Sequence, residues 1–129
     1  MLRVLVVDDH SDSAESLAMM LGLYGYTVDV AKTSKSGLEA VETNWPDAVL
    51  LDIGLPFMDG FEVAKQIQLK SIARRKPLLI AVTGYGEESV RLRCLAEGFD
   101  RHLLKPVSPS EMLEILAGAT PANGFSEAG

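Results

Sequence analysis

Three aspartates, a threonine and a lysine carry the chemistry this sequence can offer. Asp8 and Asp9 stand together after the apolar run Val4 to Val7, and Asp52 follows Ala48 to Leu51. Thr83 and Gly84 follow Leu78 to Val82, while Lys105 and Pro106 follow Leu103 and Leu104. Two adjacent carboxylates repel each other and gain nothing from packing, so their place at the end of a buried-looking run asks for a reason. Gathered at one spot, these side chains would complement a divalent cation and a phosphoryl group. Mg²⁺, a hard cation that favours carboxylate, carbonyl and water oxygens, would relieve the repulsion among three ionised aspartates. Asp52 could then act as a nucleophile toward phosphorus, forming an aspartyl phosphate. The cation and Lys105 would offset charge on the phosphoryl oxygens, and Thr83 would donate a hydrogen bond to one of them. Asp, Thr and Gly also recur in turns and helix caps for local reasons, so the assignment rests on the set and not on any single member.

The elements that must position the set are legible as short apolar runs separated by helical patterns. Runs at Val4–Val7, Val28–Ala31, Ala48–Leu51, Leu78–Val82 and Leu103–Leu104 are rich in Val, Ile and Leu and scarcely alternate. That pattern suits strands buried on both faces. Between them, Ala14, Leu17, Ala18, Leu21 and Tyr24 follow a helical period, with Asp12 and Glu15 as a capping box and Gly25 as a stop. Ser34 is expected to cap a second helix over Gly37 to Thr43; Phe61, Ala64 and Ile67 mark a third. Val90 to Ala96 makes a fourth, ended by Gly98, and Ser110 to Leu116 a fifth, with Pro109 near its start. Strand and helix alternate through the chain, which predicts an α/β fold with a parallel sheet and helices on both faces. In such open sheets ligands sit beyond the carboxyl ends of the strands, where every residue of the set falls.

The chain has 129 residues, 47% of them hydrophobic, enough for one core, so residues 1–118 are expected to form one domain. "ATPANGFSEAG" at 119–129 reads as a flexible tail or linker. A net charge of -6 argues against a nucleic-acid surface, which needs a basic face. The one basic cluster, Lys70 with Arg74, Arg75 and Lys76, reads as positive charge at a helix C-terminus. The single cysteine, Cys94, reads as a core thiol, which fits a reducing compartment. No apolar stretch approaches the roughly 18 residues of a membrane span, so a cytoplasmic location without membrane insertion is expected.

Four stretches, "VVDD" at 6–9, "LLDIGLPFMDG" at 50–60, "AVTGYG" at 81–86 and "LLKPV" at 103–107, resemble the receiver domain of two-component response regulators, in that family's order. The resemblance covers Leu2 to about Ala117. It implies a flavodoxin-like, doubly wound sheet of five strands in the order 2-1-3-4-5. It implies Asp52 as phosphoacceptor from a histidine kinase or histidine phosphotransfer protein, with the output partner unspecified. It further implies Mg²⁺ bound directly by Asp9, through water by Asp8, and by Asp52 and the Gly54 carbonyl. The Lys105–Pro106 peptide would be cis, aiming the ammonium at the site. The style of "LLDIGLPFMDGFEVA" and "GFDRHLLKPV" is similar to receivers attached to hybrid sensor kinases; the chain is read as either a standalone regulator or a receiver of a larger protein.

The sequence departs from the family at His102, three residues before the lysine, where a Tyr or Phe usually serves as a rotamer switch. Here the choice is between a swinging imidazole and a half-exposed strand residue. His10, after the acid pair, is read without a catalytic role. Pro56, Asp59 and Gly60 read as turn formers, with Asp59 capping the third helix.

Two other classes compete with the switch. A phosphohydrolase working through an aspartyl phosphate would carry a second acid two residues after the nucleophile, but Ile53 and Gly54 follow Asp52. No turnover of a separate substrate is therefore expected. A nucleotide or flavin module would place glycines at the first helix to bring amides onto phosphate. "VDDHSDS" has three acids and no glycine there.

Overall fold

The computed structural model of the protein describes residues 2–53, 60–84 and 88–118. Five strands, β1 (Arg3–Val7), β2 (Thr27–Ala31), β3 (Ala48–Asp52), β4 (Leu78–Thr83) and β5 (Arg101–Leu104), alternate with five helices. These are α1 (Ser11–Leu23), α2 (Ser34–Thr43), α3 (Gly60–Lys70), α4 (Glu88–Ala96) and α5 (Pro109–Ala117). All strand pairs are parallel, as the alternation predicts, and the order is β2-β1-β3-β4-β5, the doubly wound arrangement that the resemblance implies.

The continuous apolar runs are explained by two cores, one on each face of the sheet. Leu5, Val7, Val49, Leu51, Leu79 and Ala81 pack with Val41 of α2, Val63 and Ile67 of α3 and Cys94 of α4. Their neighbours Val4, Val6, Leu50, Ile80, Val82 and Leu103 face the other way, against Ala14 and Leu21 of α1 and Met112 and Leu116 of α5. A strand buried on both faces has no polar face to show, so its sequence does not alternate. Cys94 is fully buried, as read, and burial pushes its thiol pKa up, which keeps it protonated and inert.

The helix starts differ in detail from the sequence reading. Asp12 does not cap α1: the helix begins at Ser11, two residues earlier than that cap would give, with His10 at the cap position and no side-chain cap bond. α2 is capped by Thr33, not Ser34, because Thr33 holds the extended backbone a cap requires and exchanges hydrogen bonds with Ser36 in a full capping box. α5 is capped by Ser108, with Pro109 in the first turn as anticipated. Gly25 and Gly98 end α1 and α4 at φ of 94° and 99°, the left-handed turn that glycine adopts without penalty. The basic cluster is also split. Only Lys70 lies in the last turn of α3; a short 3-10 turn at Ser71–Ala73 intervenes and carries Arg74, Arg75 and Lys76 past the helix end.

Candidate functional site

Side-chain alternation along the strands decides which polar groups can meet. Asp8 continues the parity of Val4 and Val6, Asp52 that of Ala48 and Leu50, and Lys105 that of Leu103. The ladder extends far enough for this parity to hold: Asp8 N donates to Ala31 O at 3.0 Å and Lys105 N to Thr83 O at 2.9 Å. All three side chains therefore emerge on the α1/α5 side at the carboxyl ends of β1, β3 and β5. The Lys105 ammonium hydrogen-bonds Asp52 Oδ2 and lies 3.5 Å from Asp8 Oδ2. The Lys105–Pro106 peptide is cis, as the resemblance implied.

Burial makes these charges matter. Asp52 is 3% exposed, Asp8 6% and Thr83 1%, at the rim of an otherwise apolar core. For Lys105, burial alone would favour the neutral amine, but the hydrogen bond and charge of Asp52, and after them Asp8, outweigh it and hold the pKa above the ordinary lysine value. The ammonium is thus firmly charged wherever the aspartates are ionised.

Asp9 is exposed and connects to the cluster through His10, whose Nδ1 lies 3.5 Å from Asp8 Oδ1 and equally 3.5 Å from Asp9 Oδ1. Ligand atoms of Asp8, His10 and Asp52 all fall within 4.8 Å of one another. Two carboxylates and an imidazole around one point form a donor set that fits a divalent cation. His10 is the member the sequence reading set aside; its only signal there was its place directly after the acid pair. Gly54, Pro56, Asp59 and Tyr85 lie outside the described residues. Gly60, by contrast, is placed: a Cβ there would come within 3.2 Å of the Ile53 Cα, so α3 can start this close to the end of β3 only without a side chain.

Thr83, at the end of β4, belongs to the opposite parity, with Ala81. Beside it on β5, His102 is partly buried and its Nε2 has no hydrogen-bond partner among the described residues. Burial, followed by the charge of Arg91, holds its pKa below the ordinary histidine value. On the other side a cavity of about 550 Å³ opens next to Asp8 and Lys105, floored by Leu17 and Met20 of α1 and by Val82 and Val107.

A doubly wound sheet with an acid cluster and a lysine at its carboxyl edge defines a class, and the chain falls in it: residues 4–117 match the response regulator receiver domain. The protein belongs to that family, whose members are phosphoacceptor signalling switches that receive phosphoryl groups from histidine kinases or phosphotransfer proteins and typically bind Mg²⁺. It is 36% identical to the response regulator MprA of Mycolicibacterium vanbaalenii, a match covering 98% of this chain and 55% of that protein. It is 35% identical to an uncharacterized 14.6 kDa protein of Leptolyngbya boryana, covering 89% of this chain and 87% of that one. The chain thus spans about half the length of the MprA relatives. Among solved structures, a CheY-like receiver domain protein from Methanospirillum hungatei superposes with a TM-score of 0.79 at 32% identity over 91% of each chain. The chemotaxis protein CheY4 of Vibrio cholerae gives 0.82 at 26% identity, covering 91% of this chain and 97% of that one. Among the described residues, no helix is long and apolar enough to cross a membrane.

Proposed function

We propose that Asp52 is the phosphoacceptor of this switch, with Thr83 and Lys105 as the groups that bind the transferred phosphoryl oxygens. The observation that carries this reading is the Lys105 ammonium set against both Asp52 and Asp8 at the sheet edge. An Asp52 carboxylate oxygen attacks phosphorus in line with the departing nitrogen of a partner's phosphohistidine. The P–N bond breaks as the P–O bond forms, and the electron pair stays on the imidazole, which takes up a proton. Charge on the phosphoryl oxygens draws Lys105 away from the carboxylates, and the Thr83 hydroxyl donates to one oxygen. Asp8, Asp9, Asp52 and the Gly54 carbonyl would hold Mg²⁺, which when bound neutralises part of the developing charge.

The cavity floored by α1 suits the approach of the phosphodonor, because it offers apolar surface beside Asp8 and the Lys105 ammonium that pairs with Asp52. Apart from the gain and loss of its own phosphoryl group the domain turns over no substrate, and we place it in the cytoplasm, where kinases and phosphotransfer proteins can reach it. Incubation with acetyl phosphate and Mg²⁺ is expected to give a hydroxylamine-sensitive label on Asp52, and none with Asp52→Asn. Label retained in that variant would move the acceptor elsewhere.

A further inference from the structure

His10 occupies the cap position of α1 without capping it. Ser, Thr, Asp and Asn are preferred there because their side chains accept from the first helical amides, yet the His10 side chain makes no such bond. Its backbone is instead tied to the acid cluster, the His10 amide donating to Asp8 Oδ1 at 2.9 Å. The imidazole stands over the Asp8 and Asp9 carboxylates, 3.5 Å from each, and is 61% exposed, so it turns with little loss of packing. With Asp8 and Asp52 it completes a set of three ligand atoms within 4.8 Å.

We propose that His10 is a metal ligand of this site and tilts its selectivity from Mg²⁺ toward later first-row divalent ions. The inference rests on the phosphoacceptor reading of the same site and adds the identity of the cation. Mg²⁺ takes oxygen ligands and keeps several of its waters, so an imidazole nitrogen adds little to its binding. Imidazole nitrogen suits the later first-row ions such as Co²⁺, Ni²⁺ and Zn²⁺, and affinity rises from Mn²⁺ through Co²⁺ and Ni²⁺ to a peak at Cu²⁺ before falling at Zn²⁺. One histidine added to a carboxylate site therefore changes the ratio of affinities more than the affinity for Mg²⁺ itself. A purely structural histidine at a helix start would leave that ratio alone.

The test is calorimetric titration of the untagged protein with Co²⁺ and, separately, Mg²⁺, with the visible absorption of Co²⁺ recorded alongside. In His10→Asn the Co²⁺ affinity is expected to fall about tenfold or more, a loss typical of weakened metal sites, with loss of the nitrogen-ligand absorption. The Mg²⁺ affinity should change by less than about twofold, since that ion uses oxygen donors. Equal weakening of both ions, or of neither, overturns the proposal, as does Co²⁺ binding that survives Asp52→Asn, which would be adsorption to an exposed imidazole. Labelling of wild-type Asp52, once with Mg²⁺ and once with Co²⁺, separates the two readings. Label formed with an unchanged Co²⁺ to Mg²⁺ ratio in His10→Asn overturns the metal inference only; no label with either ion overturns the phosphoacceptor reading beneath it.

Discussion

Two nearly buried carboxylates share one ammonium at the sheet edge, and removing that ammonium leaves like charges with little water between them. Lys105→Met is therefore expected to destabilise the domain at pH 7 by about 1–3 kcal/mol, less than a fully buried pair because Lys105 keeps some exposure. Chemical denaturation measures the loss, and adding Asp52→Asn to the variant should recover part of it, since the cycle isolates the charge term. The pH dependence of this contribution follows from the raised Lys105 pKa. Stability from the pair is fully present below the unfolded lysine value of about 10.4 and is lost as pH rises through the higher folded value. Denaturation midpoints compared between wild type and Lys105→Met should thus differ by a constant amount through neutral pH and converge in strong alkali. The place of Asp52 at the site was legible in the sequence because it breaks an apolar run at a strand end; the place of His10 over Asp8 and Asp9 was not, because the spacing of one side chain from two carboxylates is a tertiary fact.

The seam between α4 and β5 is thinly packed on its helix side, since α4 has the fewest buried residues of the five helices as described. α4 buries only Cys94 among its described residues, while Leu92 and Leu95 on it and Leu104 on β5 stay substantially exposed. Within this seam the His102 Nε2 is buried without a partner among the described residues, a cost of about 1–3 kcal/mol for a polar group. His102→Phe should raise stability at pH 7 by about 1 kcal/mol, because it removes that polar atom and keeps the ring. The group that bears on His102 from α4 is Arg91, which pairs with Glu88; on β4 its register partner is Ala81, with Thr83 two residues further on. With the histidine pKa lowered by burial and by Arg91, the unfolded chain binds the proton more readily than the folded one. Wild-type stability therefore rises with pH toward 6.5 and falls as pH drops below it, a slope His102→Phe should lose. Urea midpoints at pH 5 and pH 7.5 for the two proteins check the sign. The elements themselves could be read because burial on both faces writes unbroken apolar runs into β1, β3 and β4. Caps could not be read as well: Thr33 and Ser34 are both capping types, and backbone dihedrals choose between them.

Across the whole molecule, chemistry is confined to one end of the sheet. β4 and β5 are joined at that end through Lys105 N and Thr83 O, so a phosphoryl group that repositions Lys105 pulls on the strand that flanks α4. Beryllofluoride with Mg²⁺ is expected to shift amide resonances from Asp52 through Thr83 to His102 and the exposed leucines of α4. Shifts confined to the pocket would mark a phosphate store that signals nothing. At the far end, the chain's one tryptophan, Trp45, donates from Nε1 to Arg75 O at 2.9 Å, and the Arg74 guanidinium lies 4.5 Å from its ring centre. It lies three residues before β3, whose opposite end carries Asp52, four residue steps or about 13 Å along the strand at the usual rise per residue. The molecule's natural fluorophore is accordingly deaf to its own signalling: emission will follow unfolding faithfully and barely register phosphorylation, so activation of this switch has to be watched with a probe placed at the opposite end.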